Sequence, residues 1–171
     1  MKFNRLSFLF SLGIVFLLAF SAFAQSEFNN TDVDYSFSLP SDTWKMTVKP
    51  STLSPNVEYE YGFKNDGHLE VRKIDVKSGT LFSDVIRDEE QSLQFVPGYV
   101  AGKEENFNGA LSGRVFNYEY VRSGRPMSGR FYFLKADPTT VYVLRFTGMK
   151  DKLRSIRNET DSIARTFKIG N

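Results

Sequence analysis

Two stretches near the C-terminal end, Phe131-Tyr132-Phe133-Leu134 and Val141-Tyr142-Val143-Leu144-Arg145-Phe146, are apolar at nearly every position. Side chains of an extended chain point alternately to opposite faces, so these segments are greasy on both sides. Phe131 and Phe133 share one face, with Tyr132 and Leu134 on the other. Likewise Val141 and Val143 oppose Tyr142, Leu144 and Phe146. A strand of that kind is stable only when both faces are covered. The chain must therefore place these strands in a middle layer.

The other segments alternate more cleanly. Tyr35-Ser36-Phe37-Ser38-Leu39 stops at Pro40 and reads as a strand with one wet face. Trp44-Lys45-Met46-Thr47-Val48 repeats the pattern, placing Trp44 in the core beside Met46 and Val48. Val57 to Phe63 follows, Asn65-Asp66-Gly67 supplies a tight turn, and Leu69 to Val76 returns. These four read as an antiparallel meander. Leu111 to Val121 puts Phe116, Tyr118 and Tyr120 opposite Val115 and Val121, and Ser123-Gly124-Arg125-Pro126 turns the chain into Met127 to Leu134.

Two stretches carry helical spacing instead. From Thr80 to Phe95 the apolar residues Leu81, Phe82, Val85, Ile86 and Leu93 form a stripe, with Asp88-Glu89-Glu90 on the wet side, and Pro97-Gly98 ends it. From Lys150 to Phe167 the stripe is Leu153, Ile156, Thr160, Ile163 and Phe167. Two helices and about seven strands predict an α+β fold, an antiparallel β-sheet flanked by helices. No linker or internal repeat divides residues 25–171, so they are read as one domain and as a monomer.

The first 24 residues stand apart. Lys2 and Arg5 precede an apolar run from Leu6 to Phe23, which ends in Ala22-Phe23-Ala24 before polar Gln25-Ser26. This is the pattern of a cleaved secretory signal peptide, so the protein is expected to be exported, to a periplasm or beyond the cell. The absence of cysteine leaves no lipid anchor on a thiol, no disulfide and no zinc–thiolate site.

The formal net charge of +2 vanishes once Lys2 and Arg5 leave with the signal, giving no case for nucleic acid. The remaining charge is uneven: residues 25–102 carry 7 basic and 13 acidic residues, and 103–171 carry 13 and 7. Such a split suits two halves that pack against each other or a basic outer surface, the first being favoured.

Tyr35 to Trp44 is similar to the entry strand of PsbP-like domains. Phe131-Tyr132-Phe133, Val141 to Phe146 and a helix ending Ile163-Ala164-Arg165-Thr166-Phe167 resemble their closing part. The resemblance spans about residues 30–169. It implies an α/β/α sandwich with no shared enzyme activity and no cofactor. It also implies a common theme of docking onto another macromolecule, as in a photosynthetic extrinsic subunit and a nuclear-transport factor that binds a small GTPase. No partner-binding residue of that family maps onto this chain.

The catalytic inventory is thin. His68 is the one histidine, and beside the Asn65-Asp66-Gly67 turn it reads as exposed. Gly109-Ala110-Leu111-Ser112-Gly113 only approximates a nucleophile elbow. Asp32-x-Asp34 begins like a calcium loop but has no glycine at the sixth position, and a lone histidine does not build a transition-metal site. No catalytic residue and no metal ligand is assigned.

One segment breaks a local rule. Lys150, Lys152, Arg154 and Arg157 crowd the start of the last helix, opposed only by Asp151, where partial positive charge disfavours cations by about a few tenths of a kcal/mol each. Arg122 and Arg125 add a second basic point at the Ser123-Gly124 turn. These six residues are the candidate binding surface, for an acidic protein, a cell-envelope component or a membrane surface. The competing expectations are a small-ligand carrier with a gap near Trp44 and a hydrolase built on His68.

Overall fold

The computed structural model describes residues 26–63 and 65–170; the expected signal peptide, residues 1–24, lies outside them. Seven strands pair antiparallel into one sheet. Along the chain they are β3 (Trp44–Val48), β4 (Val57–Tyr61), β5 (Gly67–Asp75), β6 (Val100–Asn108), β7 (Ser112–Arg122), β8 (Arg125–Asp137) and β9 (Thr140–Met149). Their spatial order is β3-β4-β5-β9-β8-β7-β6. A smaller sheet joins β2 (Tyr35–Leu39) to β1 (Ser26–Asn29) on one side and β10 (Lys168–Ile169) on the other. Three helices complete the described residues: α1 (Phe82–Leu93), α2 (Lys150–Ser155) and α3 (Arg157–Thr166).

The connections follow from local chemistry. Ser123 and Gly124 both have positive φ, 50° and 72°, the backbone of a primed two-residue turn that matches strand twist. The Asp137 carboxylate accepts from the Thr139 amide at 2.7 Å and its hydroxyl at 2.9 Å, closing the β8–β9 turn. After β5 the chain crosses the sheet as α1 and lands on the far edge as β6. The β6-β7-β8-β9 meander then walks back until β9 pairs with β5, in a register from His68↔Thr147 to Asp75↔Thr140.

The central strands are buried on both faces, as their sequence demands. Under α1, Val85, Ile86 and Leu93 pack with Phe116, Tyr118, Phe131, Phe133, Val141 and Val143. On the opposite face Tyr132, Leu134, Tyr142, Leu144 and Phe146 lie beneath α2, α3 and the small sheet. The expected stripe Leu153, Ile156, Thr160, Ile163 and Phe167 is buried throughout.

Several expectations are corrected. The segment Tyr35–Leu39 does not start the meander; it sits in the small sheet. Nor has it a wet face, because α3 packs across it and Ser36 is fully buried. Met46 and Val48 are exposed although Trp44 is buried: β3 is the edge strand of the sheet, and its register shifts between Met46 and Val48. Leu81 and Phe95 protrude beyond the ends of α1. Within α1, Glu89 and Glu90 are not simply wet. Arg72 pairs with Glu89 at 2.6 Å and the Tyr99 hydroxyl donates to Glu90 at 2.7 Å, fastening the helix to its surroundings.

Candidate functional site

The C-terminal segment expected as one helix is two. Ile156, at φ −100° and ψ 15°, interrupts it, and the Ser155 hydroxyl bonds back to the Lys152 carbonyl at 2.7 Å, competing with the helix ladder. This changes the electrostatics of the basic run. Lys152 and Arg154 lie in the last turn of α2, where cations suit the partial negative charge; only Lys150 and Arg157 open helices. The four cations at one helix start are thus resolved into two pairs.

Of these four, Lys150, Arg154 and Arg157 line a single cleft of about 420 Å³. The cleft lies between the helices and β6, β7 and β8, and no residue of the small sheet lines it. Val100 and Gly102 of β6, Asn117 and Glu119 of β7 and Ser128 of β8 form the opposite walls, with Leu153 an apolar contribution from α2. Lys150 Nζ lies 2.7 Å from Glu119, so its charge is answered. Arg154 and Arg157, both exposed, have no ion-pair partner among the described residues.

The floor of the cleft is a polar network that the sequence reading missed. Arg130, 6 % exposed, donates from Nε to the Tyr132 hydroxyl at 2.6 Å, from Nη1 to Asn117 at 2.7 Å and from Nη2 to Asp161 at 2.8 Å. The Tyr132 hydroxyl also donates to Asp161 and lies 3.1 Å from the Thr160 hydroxyl. Burial works against the Arg130 charge, but Tyr132 and Asp161 outweigh it and hold its pKa above the usual value. Burial likewise pushes the Tyr132 phenol up, with the Arg130 charge opposing. The network locks β7, β8 and α3 together beneath the unpaired arginines. One clue was present in the sequence: Arg130 has the same strand parity as Tyr132 and Leu134, a cation on a face bound for burial.

The remaining expected residues lie elsewhere. Lys152 faces away from the cleft, 3.9 Å from Asp66. Arg122 and Arg125 line a separate hollow of about 300 Å³ with Asn65, Ser123 and Met127. His68 is not a free surface residue: it is half-buried, with Nε2 2.9 Å from Glu58, which the β4–β5 register sets diagonally across from it, next to its direct partner Glu60. It lines a hollow of about 200 Å³ with Glu60, Tyr120, Arg122 and Thr147 among its walls, and no serine joins them. Trp44 is buried against Tyr61 and Phe146, and its Nε1 donates to Glu159. Asp34 accepts from the Tyr142 hydroxyl and lies 3.3 Å from Lys73. Burial raises its carboxyl, but these two donors outweigh it and leave it below the usual range. Among the described residues no cluster of three or more metal-ligating side chains is found, and no helix is long and apolar enough to cross a membrane.

Three ion pairs cross between residues 25–102 and 103–171, namely Lys168–Glu27 at 3.3 Å, Lys152–Asp66 at 3.9 Å and Arg145–Glu70 at 3.9 Å. The charge split therefore serves internal packing in part, while Arg154 and Arg157 remain on the outside.

Comparison with solved structures matches this architecture. Cyanobacterial PsbP (CyanoP) from Synechocystis sp. PCC 6803 is similar at TM-score 0.59 with 10% identity, covering 88% of this chain and 95% of that one. The chain has the PsbP-like fold. The Ran-binding protein Mog1p of Saccharomyces cerevisiae is similar at TM-score 0.63 with 8% identity, over 86% of this chain and 96% of the other. LpqN of Mycobacterium tuberculosis, involved in cell envelope biogenesis, is similar at TM-score 0.55 with 13% identity, over 86% and 91%. No protein-family model matches the chain, and no curated protein matches it in sequence. At such identities the likeness concerns the fold, and one fold can carry unrelated functions.

Proposed function

We propose that this protein is an exported, non-enzymatic accessory protein that docks onto a protein or cell-envelope component through the cleft bounded by Lys150, Arg154 and Arg157. The observation that carries the reading is the pair Arg154 and Arg157, two exposed guanidinium groups that line a 420 Å³ cleft and have no carboxylate partner among the described residues. An unpaired charge beside a shaped cavity favours a partner of opposite sign and steers its approach. The lining residues Arg130 and Asn117, held by their mutual hydrogen bond and by the bond from Arg130 to Asp161, support the same reading, because a preorganised wall lowers the ordering cost of association. The leader-like first 24 residues support export. The Ran binding of Mog1p and the involvement of LpqN in cell envelope biogenesis are compatible with a docking task.

The test is affinity capture from the envelope of the producing cell, comparing wild type with the Arg154→Glu/Arg157→Glu double variant. Capture of a defined component by wild type and its loss in the variant supports the assignment. Equal capture by both removes this surface.

A further inference from the structure

We propose that the group recognised in this cleft is a phosphate monoester carried on a small, partly apolar body. The inference rests on the docking reading of the same cleft and adds the chemistry of what enters it. Charge gives the first argument. Lys150 is answered by Glu119 and Arg130 by Asp161, which leaves Arg154 and Arg157 as the two lining cations without an ion-pair partner among the described residues. Two positive charges are matched by a dianion. A phosphate monoester carries about −1.5 to −2 near neutral pH, whereas a carboxylate or a phosphodiester carries one charge. Geometry gives the second argument. The planar guanidinium fork fits phosphate oxygens in a two-point contact, and both arginines line the same cleft.

The third argument is the shape and lining of the cavity. A space of about 420 Å³ is far larger than a phosphate group needs, and its lining includes Val100 on β6 and Leu153 beside Arg154 on α2, together with Ser128 and Asn117. Those walls favour a ligand whose body is carbon-rich with a few polar atoms. On the docking reading the ester is a membrane lipid whose headgroup is the monoester itself, and a soluble ester is the alternative that the test separates.

Isotope-labelled protein titrated with phenyl phosphate, diphenyl phosphate and inorganic phosphate tests the assignment. The expected result is amide shifts at Gly102, Ser128 and Gly129, with phenyl phosphate bound about tenfold more tightly than the diester. Binding weakens as pH falls through about 6, where the monoester loses its second charge. The Arg154→Gln/Arg157→Gln variant, altered only at exposed positions, loses the response. Flotation with phosphatidylcholine vesicles containing phosphatidic acid or phosphatidylglycerol separates the sources. Retention on phosphatidic acid alone points to the lipid, and no retention with phenyl phosphate still bound points to a soluble ester. Equal binding of monoester and diester, of phenyl and inorganic phosphate, or no shift at those amides overturns the inference. If envelope capture still depends on Arg154 and Arg157 in that case, docking stands and only the ligand class falls. If capture is independent of both arginines, both fall.

Discussion

The indole Nε1 of Trp44 donates to Glu159 Oε2 at 3.0 Å, joining residues 115 positions apart in the chain. The same carboxylate accepts from the Ser41 hydroxyl at 3.0 Å and, through Oε1, from the Tyr61 hydroxyl at 3.1 Å. One side chain of α3 therefore holds the β3–β4 edge of the sheet.

Glu159→Ala leaves three donors at that edge without their acceptor, one of them on the buried Trp44. The expected loss is about 1–3 kcal/mol of unfolding free energy, because a desolvated donor costs more than a bond contributes. Chemical denaturation followed by emission of Trp44, the single tryptophan of the chain, measures it. A loss below about 0.5 kcal/mol contradicts the clamp.

The Arg130–Asp161 pair beneath the cleft gives a sharper result. Asp161→Ala strands a guanidinium that is almost entirely buried, with an expected cost of about 3–5 kcal/mol. Replacing both partners, as Arg130→Met/Asp161→Leu, removes the stranded charge and recovers a large share of that loss. Denaturant midpoints of the two variants test the order, and a double variant no more stable than the single one contradicts it.

The signs of the sequence reached the middle layer and stopped at its edges. Tyr132, Leu134, Tyr142, Leu144 and Phe146 were legible as one buried face because alternation is a local property of an extended chain. The same local logic failed for β6, Val100–Asn108. At the sheet edge it buries only Phe107 and carries Lys103, Glu104 and Glu105, so it has no hydrophobic period to read. Tyr35–Leu39 showed its strand but not its sheet, since pairing with β10 depends on contacts more than a hundred residues away. At the candidate site the cations were visible as a run. The partnership of Arg130 with Asn117 and Asp161 was not, because it arises from tertiary packing, and the break at Ile156 was not, because it leaves the 3.6-residue apolar spacing on either side unchanged.

Arg154→Glu/Arg157→Glu separates binding from folding. Both side chains are exposed and unpaired, so stability is expected to change by no more than about 0.5 kcal/mol per site. Thermal unfolding measures this. A large loss would mean that these arginines hold the helices in place and do not serve a partner.

Buried phenols set the alkaline limit. Burial pushes Tyr59 up to about 12 and Tyr35 and Tyr132 higher still. The folded state thus prefers the neutral phenol. Its contribution is complete below the unfolded value of about 10 and is lost as pH rises from there towards about 12. Denaturant midpoints should fall across that window, and Tyr59→Phe should flatten the fall. A pH-independent midpoint contradicts the burial argument.

The docking claim is tested most directly by a photoreactive side chain placed at Ala101, an exposed residue on the cleft wall, in the producing cell, with Thr47 on the opposite edge strand as control. The expected outcome is one defined adduct from position 101 that disappears when Arg154 and Arg157 are reversed in charge. An adduct only from position 47, or one from position 101 that is indifferent to those arginines, would contradict the assignment of the cleft as the docking site.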